Sequence, residues 1–419
     1  MPQREAFLKP LLKKELNLVI LFVTSICNAR CRTCFYSFEL NRKGDMTYDE
    51  LSKLSSTMPH FQDLWLSGGE PFLRKDLAEA ICLFYENNGV RGIRIPTNGL
   101  PTAHTIKIVK AVLERCPRLQ LEIDVSIDGF DQTHDRIRAV PGNFKNALQT
   151  MAELESIRGN SPNLTLFVNT VITSENRDEI VQLGHYFKEN CDLDGHYFQI
   201  IRGEPRDHAL QSVEAAALES VYRQVLPLNF YYASKMYRKH GMMNDVKRSF
   251  WKAGYTFSYD TQLRNYAYGV KWKMPCTAGR TSIVIDYNAD VRVCELRKPI
   301  GNLRKYDMNF ERFWKSTERQ AEVRQVKLDQ CFCTHICFMY DSMRHSKRVM
   351  LWELPKLSVR QTLHTLFGPR AERNLTDTTQ PTTVYPLLQP SELAADKTTS
   401  SPRRSTADLP YSSRTSDRP

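Results

Sequence analysis

The stretch Cys27-Asn28-Ala29-Arg30-Cys31-Arg32-Thr33-Cys34 holds three cysteines within eight residues, directly after the apolar, β-rich run Leu16–Thr24. Three thiolates on one short loop can hold three corners of a cubane iron–sulfur cluster, whereas full cysteine ligation needs four. The missing fourth thiolate leaves one iron open to another ligand. A zinc site is the alternative, but structural zinc sites need four ligands with a different spacing. The spacing therefore favours an iron–sulfur cluster.

Outward from this loop, strand and helix patterns alternate as far as about residue 203. Apolar runs that are typical of strands begin near residues 16, 64, 93, 119, 164 and 197, and helical patterns separate them. Six such steps with short connections predict an α/β fold with a parallel, right-handed sheet, a partial TIM-like (β/α)6 barrel. Loops that follow the strand C-termini gather at one end of such a fold, where we expect the functional site.

Polar motifs follow the strands at that end of the predicted sheet. In chain order they are Gly68-Gly69-Glu70-Pro71, Thr97-Asn98-Gly99, Ser126-Ile127-Asp128-Gly129, the segment that ends in Arg138, and Asn169. Each motif is weak alone, because Asn-Gly also marks ordinary turns and Ser or Asp also caps helices. The glycine pair is expected to let the backbone approach a ligand without a Cβ clash. The Glu70 carboxylate can accept hydrogen bonds from an ammonium group.

In this order, the motifs and the cysteine loop resemble the radical S-adenosylmethionine (SAM) superfamily over residues 17–203. The resemblance implies a catalytic [4Fe–4S] cluster on the metal ligands Cys27, Cys31 and Cys34, with SAM on the open iron. It implies reductive cleavage of SAM to a 5′-deoxyadenosyl radical, which abstracts hydrogen from a substrate. It also implies the SAM-binding positions Phe35, Gly68, Gly69, Glu70, Pro71, Thr97, Asn98, Ser126, Asp128, Arg138 and Asn169. After Arg138 the family often has glycine, whereas this chain has Ala139.

A second group of cysteines lies further along the chain and consists of Cys276, Cys294, Cys331, Cys333 and Cys337. The first two flank a predicted β-hairpin, whose turn lacks the glycine often found there. The layout resembles the SPASM/Twitch extension of radical SAM enzymes and implies one auxiliary [4Fe–4S] cluster, with a zinc ribbon as the alternative. Five thiols compete for four iron sites, and His335 is a weaker candidate. The favoured metal ligands are Cys276, Cys294, Cys333 and Cys337, with Cys331 as the spare thiol.

These patterns divide the chain into a radical SAM partial barrel (16–235), a helical linker (236–275), an auxiliary-cluster domain (276–340), a basic helical segment (341–373) and a disordered tail (374–419). The tail is rich in Ser, Thr and Pro and has little apolar periodicity. A helix that covers the barrel, interrupted at Pro355, is expected in the basic segment, with a membrane or partner surface as the alternative. The isolated cysteines, Cys82, Cys116 and Cys191, are interpreted as buried or incidental thiols.

Composition and charge limit the class of protein and the kind of partner. The content of 41% hydrophobic and 25% charged residues excludes a wholly disordered or fibrous chain. No apolar run is long enough to span a bilayer, and no export signal is recognisable, so we expect a cytoplasmic protein. The net charge of +11 is concentrated in the C-terminal half. It suggests an anionic partner or a solvated basic face, and we do not expect nucleic acid to be the partner.

Three functions remain open at this point. The first is oxidation or maturation of a peptide, which would need a separate carrier because no leader-binding domain is expected before the first strand. The second is a dehydrogenase or epimerase of a sugar or aminocyclitol, with the auxiliary cluster as electron acceptor. The third is a non-catalytic iron–sulfur binding protein, against which the intact motifs argue. Either enzyme would need a one-electron donor such as flavodoxin or ferredoxin.

Overall fold

The computed structural model describes residues 15–237, 241–329 and 333–367. The predicted disordered tail and the spare thiol Cys331 lie outside these residues. Six parallel strands form the first part of the sheet: β1 Leu18–Thr24, β2 Asp63–Gly68, β3 Gly92–Thr97, β4 Gln120–Ser126, β5 Leu164–Ile172 and β6 Gly195–Ile200. The predicted α/β class and parallel sheet are confirmed.

Three further strands extend this sheet beyond β1. They are β7 Ser282–Ile285, β8 Asp290–Arg292 and β9 Gly301–Asn302. Strand β7 pairs in parallel with β1, and β8 and β9 follow as antiparallel neighbours, which gives the order β6-β5-β4-β3-β2-β1-β7-β8-β9. The hairpin between the cysteines of the second group therefore continues the barrel sheet.

Helices separate the strands and form the C-terminal part of the fold. Those between strands are α1 Tyr48–Thr57, α2 Leu77–Asn87, α3 Thr102–Arg115, α4 Asp131–Arg138, α5 Asn143–Arg158 and α6 Ile180–Asn190. After β6 come α7 Ala215–Met236 and α8 Met242–Tyr268, and after β9 come α9 Phe310–Trp314, α10 Thr317–Asp329, α11 Ile336–His345 and α12 Leu354–Phe367. A capping box of Thr47 and Glu50 begins α1.

The two faces of the sheet differ in chemistry. On β4, Leu121, Ile123 and Val125 are fully buried and pack in the main hydrophobic core. The alternating residues Glu122, Asp124 and Ser126 lie on the opposite face, here called the inner face, because successive side chains of a strand point to opposite sides. A polar inner face beside an apolar outer face is the arrangement that positions a site inside a barrel.

The basic C-terminal segment is interrupted at Ser346, which follows α11, and not at Pro355. A π-helical turn, Val349–Glu353, leads directly into α12, which packs against α8. Pro355 is the second residue of α12, directly after this turn, and the helical run continues through it. Within the described residues, no helix is long and apolar enough to cross a membrane.

Candidate active site

The loop with the first three cysteines begins directly after β1 and is fixed at several points. The backbone N–H of Arg32 donates to the carbonyl of Ile137 (2.8 Å), and that of Cys34 to the carbonyl of Cys31 (3.2 Å). The Arg32 guanidinium also forms ion pairs with Glu175 and Asp207, both at 2.7 Å. The loop is therefore held against the end of α4 and the segment after β6.

The three thiols of this loop share one neighbourhood. Burial raises the pKa of Cys27 to about 12, and the nearby thiols of Cys31 and Cys34 contribute to the rise. Burial also raises the pKa of Cys34 to about 11, against the effect of Arg206 and Arg138. Thiolates are stabilised at such a site when a metal takes the place of their protons.

The donor set fits a cubane cluster better than a single ion. Among the described residues, no three Cys, His, Asp or Glu side chains converge tightly enough to hold one metal ion. A cubane places each of its thiolate ligands on a different iron, so the sulfur atoms need not converge on one point. Three half-buried thiols with no fourth on the loop match a cluster with one open iron.

Gly68 and Gly69 have a role that differs from the expected one. Gly68 has φ +124°, and a Cβ atom there would lie 2.3 Å from the carbonyl oxygen of Thr24. A Cβ on Gly69 would lie 2.1 Å from the carbonyl oxygen of Ile26. The glycines therefore let the loop after β2 pack directly against the start of the cysteine loop, rather than only making room for a ligand.

Glu70 joins two of the loops at this end of the sheet. Its carboxylate accepts hydrogen bonds from the backbone N–H of Asn98 (2.7 Å) and of Phe72 (3.2 Å). Burial raises the pKa of Glu70 to about 7, although these hydrogen bonds oppose the rise. A carboxylate offers about four lone-pair positions, so the group can still accept from an ammonium.

A chain of polar groups, all buried except the exposed Asn28, connects the cysteine loop with the loops after β3 and β4. Asn98 Nδ2 donates to Asn28 Oδ1 (2.8 Å), and Asn143 Nδ2 donates to the carbonyl of Asn98 (2.9 Å). His134 Nε2 lies 3.1 Å from Asn143 Oδ1, and the backbone N–H of Asp128 donates to His134 Nδ1 (3.0 Å). This network fixes the relative positions of the sequence motifs.

Arg138 reaches the cysteine loop from the end of α4. Its Nε lies 2.8 Å from Asp128 Oδ2, and its Nη1 lies 3.8 Å from Cys31 Sγ. Asp128 is fully buried and also accepts a hydrogen bond from the backbone N–H of Val171 (2.8 Å). The buried ion pair therefore holds a cation beside one of the three thiols. The predicted cofactor positions Asp128 and Arg138 contact each other directly.

A second polar chain leads from β5 to the second cysteine group. Gln199 Nε2 donates to Asn169 Oδ1 (2.9 Å), and Arg202 Nη1 donates to Gln199 Oε1 (2.9 Å). Arg202 also lies over the Phe35 ring, with 5.0 Å between the guanidinium carbon and the ring centroid. Its Nη2 is 3.4 Å from Glu295 Oε2. Arg202 therefore connects residues that adjoin both cysteine groups.

The inner face of the sheet carries a buried charged cluster. Arg94 Nε lies 2.5 Å from Glu122 Oε1 and 3.6 Å from Asp124 Oδ2, and its guanidinium stacks between the rings of Trp65 and Tyr197. Asp124 Oδ1 is buried and has no hydrogen-bond partner among the residues that the structure describes. The carboxyl groups of Glu122 and Asp124 thus face one guanidinium. They lie four and two residues before Ser126 on β4.

The second cysteine group comes together from distant parts of the chain. Its described members, Cys276, Cys294, Cys333 and Cys337, are half-buried cysteines. Burial raises the pKa of Cys294 well above its usual value, and the nearby thiols of Cys333 and Cys276 add to the rise. Of the isolated cysteines, Cys82 and Cys116 are buried with their sulfur atoms 3.0 Å apart, whereas Cys191 is half-buried.

The arrangement of these loops agrees with comparisons with known proteins. Residues 21–187 match the model of the radical SAM superfamily. GTP 3′,8-cyclase from Staphylococcus aureus (strain JH9) is 29% identical over 180 residues, which are 40% of this chain and 50% of that protein. The chain therefore contains a radical SAM domain, and that family uses SAM and a [4Fe–4S] cluster. The chain spans about half the length of the curated relatives that it matches.

Solved structures support the same fold over a longer part of the chain. Native anSMEcpe with bound AdoMet has a TM-score of 0.55 at 15% identity, covering 83% of this chain and 100% of that chain. The same protein with AdoMet and the Cp18Cys peptide has a TM-score of 0.54 at 14% identity, covering 83% and 99%. At this identity the likeness establishes the fold alone.

Sequence reasoning missed several residues that organise the site. Asn28, Asn143, Gln199, Arg202 and Glu295 form most of the polar links described above. Asn28 and Glu295 adjoin cysteines in the sequence, which was the one signal available for them. The others are single polar residues in ordinary helical or strand patterns.

Proposed function

We propose that the chain is a radical SAM enzyme that uses Cys27, Cys31 and Cys34 to hold its catalytic cluster. The observation that carries this proposal is the meeting of the cysteine loop with the loops after β2, β3 and β4. Gly68 and Gly69 contact its backbone, and Asn98 and Arg138 contact it through side chains. When bound, the cluster and SAM supply a 5′-deoxyadenosyl radical that abstracts hydrogen from a substrate.

The residues around the loop have separate roles in this proposal. The free lone pairs of the Glu70 carboxylate accept from the methionyl ammonium of SAM, while Asn98 and Phe72 fix that carboxylate. The cofactor would be lined by Ser126, Asn169 and the backbone of Thr97, which lie on neighbouring strands, and by the backbone of Pro71, which follows β2. Arg138 places a positive charge beside Cys31, one of the proposed cluster ligands.

The second cysteine group is proposed to hold an auxiliary [4Fe–4S] cluster of the SPASM/Twitch type. Its position supports this role, because β7 and β8 lie between Cys276 and Cys294 and are hydrogen-bonded into the barrel sheet beside β1. Arg202 joins its surroundings to Phe35, the residue after Cys34. An auxiliary cluster at this place is suited to accept an electron or to position a substrate at the inner face.

The proposed substrate lies against the inner face, near Asp124 and Arg94. Either a peptide or a small polar metabolite suits this charged surface. Oxidation or maturation of a peptide is the first candidate, since a structure of the same fold, anSMEcpe, contains the Cp18Cys peptide. A dehydrogenase or epimerase reaction on a small polar metabolite is the second candidate, favoured by the buried charges of the inner face. A flavodoxin- or ferredoxin-type donor supplies the electron.

Anaerobic reconstitution tests the proposal. The full chain should bind about eight irons, because two cubane clusters are proposed. Incubation with SAM and dithionite should release 5′-deoxyadenosine, and a panel of peptides and metabolites should reveal the substrate class. A chain that binds about four irons and stoichiometric zinc contradicts the auxiliary cluster. A chain that binds its irons but never releases 5′-deoxyadenosine contradicts radical SAM activity.

A further inference from the structure

His335 is buried within the second cysteine group. Its side chain is fully inaccessible to solvent, and its backbone N–H donates to Cys333 Sγ at 3.2 Å. The residue immediately precedes α11, and its ring packs edge-on against Phe338. The imidazole therefore lies beside a candidate metal ligand and away from water.

One ring nitrogen of His335 is held by a carboxylate. Nε2 lies 2.5 Å from Glu295 Oε2, and Glu295 directly follows Cys294 in the chain. Arg202 fixes the same carboxylate from the other side, at 3.4 Å. A neutral ring that donates from Nε2 carries its lone pair on Nδ1.

The other ring nitrogen, Nδ1, makes no hydrogen bond within the described part of the chain. Nδ1 of His335 is buried and has no hydrogen-bond partner there. A buried polar atom without a partner destabilises the folded protein. Histidines that bind metals characteristically donate their second ring N–H to a carboxylate, which orients the ring and raises its basicity. The Glu295–His335 pair has this arrangement.

Cys337 has more apolar surroundings than the other described thiols of the group. It packs against the main hydrophobic core and also against a second apolar cluster, which includes residues of α8 and α11. Cys276 and Cys294 pack against the main core, and Cys333 Sγ accepts the hydrogen bond from the His335 N–H. A cysteine in apolar packing acts as a small hydrophobic side chain. Cys337 is therefore the described thiol of the group that is least suited to bind a cluster.

We propose that His335 Nδ1, together with Cys276, Cys294 and Cys333, binds the auxiliary iron–sulfur cluster, and that Cys337 is not a ligand. This inference rests on the proposed auxiliary cluster and specifies its ligands. Replacement of a thiolate by a neutral imidazole raises the reduction potential of an iron–sulfur cluster. Such a cluster accepts an electron more readily than one with four thiolates.

Pulsed electron paramagnetic resonance tests the assignment on the full chain. The triple variant Cys27→Ala, Cys31→Ala and Cys34→Ala isolates the auxiliary cluster. After reduction, it should show a strong nitrogen hyperfine coupling that changes when the protein is made with 15N-histidine. Adding His335→Gln should abolish this coupling, whereas adding Cys337→Ser should leave the coupling and about four irons in place. His345→Gln is the matched control, because His345 is a half-buried α11 histidine paired with Asp341.

The outcomes separate this inference from the proposed function. A reduced cluster without nitrogen coupling, or a coupling that persists in His335→Gln, overturns the assignment of His335. Loss of the cluster in Cys337→Ser, while His335→Gln retains it unchanged, restores Cys337 as the ligand. A triple variant that binds no iron contradicts the auxiliary cluster itself. If His335→Gln fails to fold, the 15N-histidine spectrum of the triple variant decides alone.

Discussion

The two cysteine groups of this chain are built in opposite ways. The first has three thiols within eight residues on one loop, and hydrogen bonds from distant residues hold that loop in place. The second takes its thiols from positions as far apart as Cys276 and Cys333, which come together only when the sheet and α11 have formed. A metal site on one loop can be read from sequence spacing. A site assembled from distant segments depends on folding, and its ligands must be found in three dimensions.

Removing one thiol of the first group should have the largest effect. Cys31→Ala takes away a proposed cluster ligand and the sulfur beside Arg138. We expect release of 5′-deoxyadenosine to fall by about a hundredfold or more, since even outer-shell changes at metal sites cost about 10–100-fold. The measurement is 5′-deoxyadenosine formed from SAM and dithionite. Cys191→Ala, a half-buried thiol outside both groups, is the control, and retained cleavage in Cys31→Ala would contradict the proposed mechanism.

Removing a thiol of the second group should separate release of 5′-deoxyadenosine from product formation, whereas both should fail in Cys31→Ala. Cys294→Ala leaves the loops after β1 to β4 intact, so release of 5′-deoxyadenosine should continue. Product formation should fail or become uncoupled, and the ratio of 5′-deoxyadenosine to product measures this once a substrate is known. An unchanged ratio in a folded variant would remove any catalytic role for the second group. Joint loss of soluble protein and both activities would indicate a structural cluster.

Asp128→Asn sharpens the comparison by testing a residue that supports the first group without binding metal. It leaves the buried Arg138 guanidinium without its carboxylate partner. Breaking a buried ion pair costs about 3–5 kcal/mol of stability, and loss of support for a metal ligand costs about 10–100-fold in activity. Urea unfolding and 5′-deoxyadenosine release measure the two effects. Asp178→Asn, at an exposed carboxylate, should change neither, and an unaffected Asp128→Asn would exclude the proposed support.

The pH dependence of stability should reveal a buried histidine on β6, His196, whose Nε2 lies 2.8 Å from Thr170 Oγ1. Burial lowers the pKa of His196 to about 3, whereas an unfolded histidine has a pKa near 6.5. The unfolded chain therefore binds a proton first, and His196 costs stability as the pH falls below about 6.5. Between pH 7 and pH 5 the wild type should lose about 2 kcal/mol that His196→Gln does not lose. Urea unfolding at both pH values measures this difference, and parallel curves would contradict it.

The smallest effect is expected at Ala139, where the chain departs from the glycine often found in the family. Ala139 has φ +52°, in the left-handed region, directly after α4. Left-handed backbone costs an ordinary residue about 1–2 kcal/mol, and glycine loses about 0.5–1 kcal/mol more entropy on folding. Ala139→Gly should therefore stabilise the fold by up to about 1 kcal/mol in thermal unfolding. Ala147→Gly, inside α5, should instead destabilise it by about 1 kcal/mol.

Much of the first region could be predicted from sequence, because its signals are periodic or local. The alternation of strand and helix patterns predicted the sheet. The polar motifs that follow β2 to β4 predicted the loops of the site. The hairpin turn without glycine was also visible, and Ala289 there has φ +68°. The pairing of β7 with β1 could not be predicted, since a four-residue strand with three apolar residues does not specify its neighbour in a sheet. For the same reason, the packing of α12 on α8 was missed.

The polar links were beyond sequence reasoning for a different physical reason. Arg202 and Gln199 carry no periodic signal, and besides each other they contact Glu295, far along the chain, and Asn169, on another strand. Glu295 and His335 adjoin cysteines, but only the three-dimensional structure brings the carboxylate to the ring. Hydrogen bonds between single side chains depend on the register and curvature of the whole sheet.

The parallel pairing of β1 with β7 has a consequence for synthesis and folding. Leu18 pairs with Ser282, so one edge of the first strand has no partner until most of the described chain has left the ribosome. Contacts between such distant residues slow folding, because the entropy of closing a long loop is lost before they form. An unpaired edge is also a template for aggregation. Early protection of this edge, by a chaperone or by metal delivery to the neighbouring loop, would therefore increase the yield of folded protein.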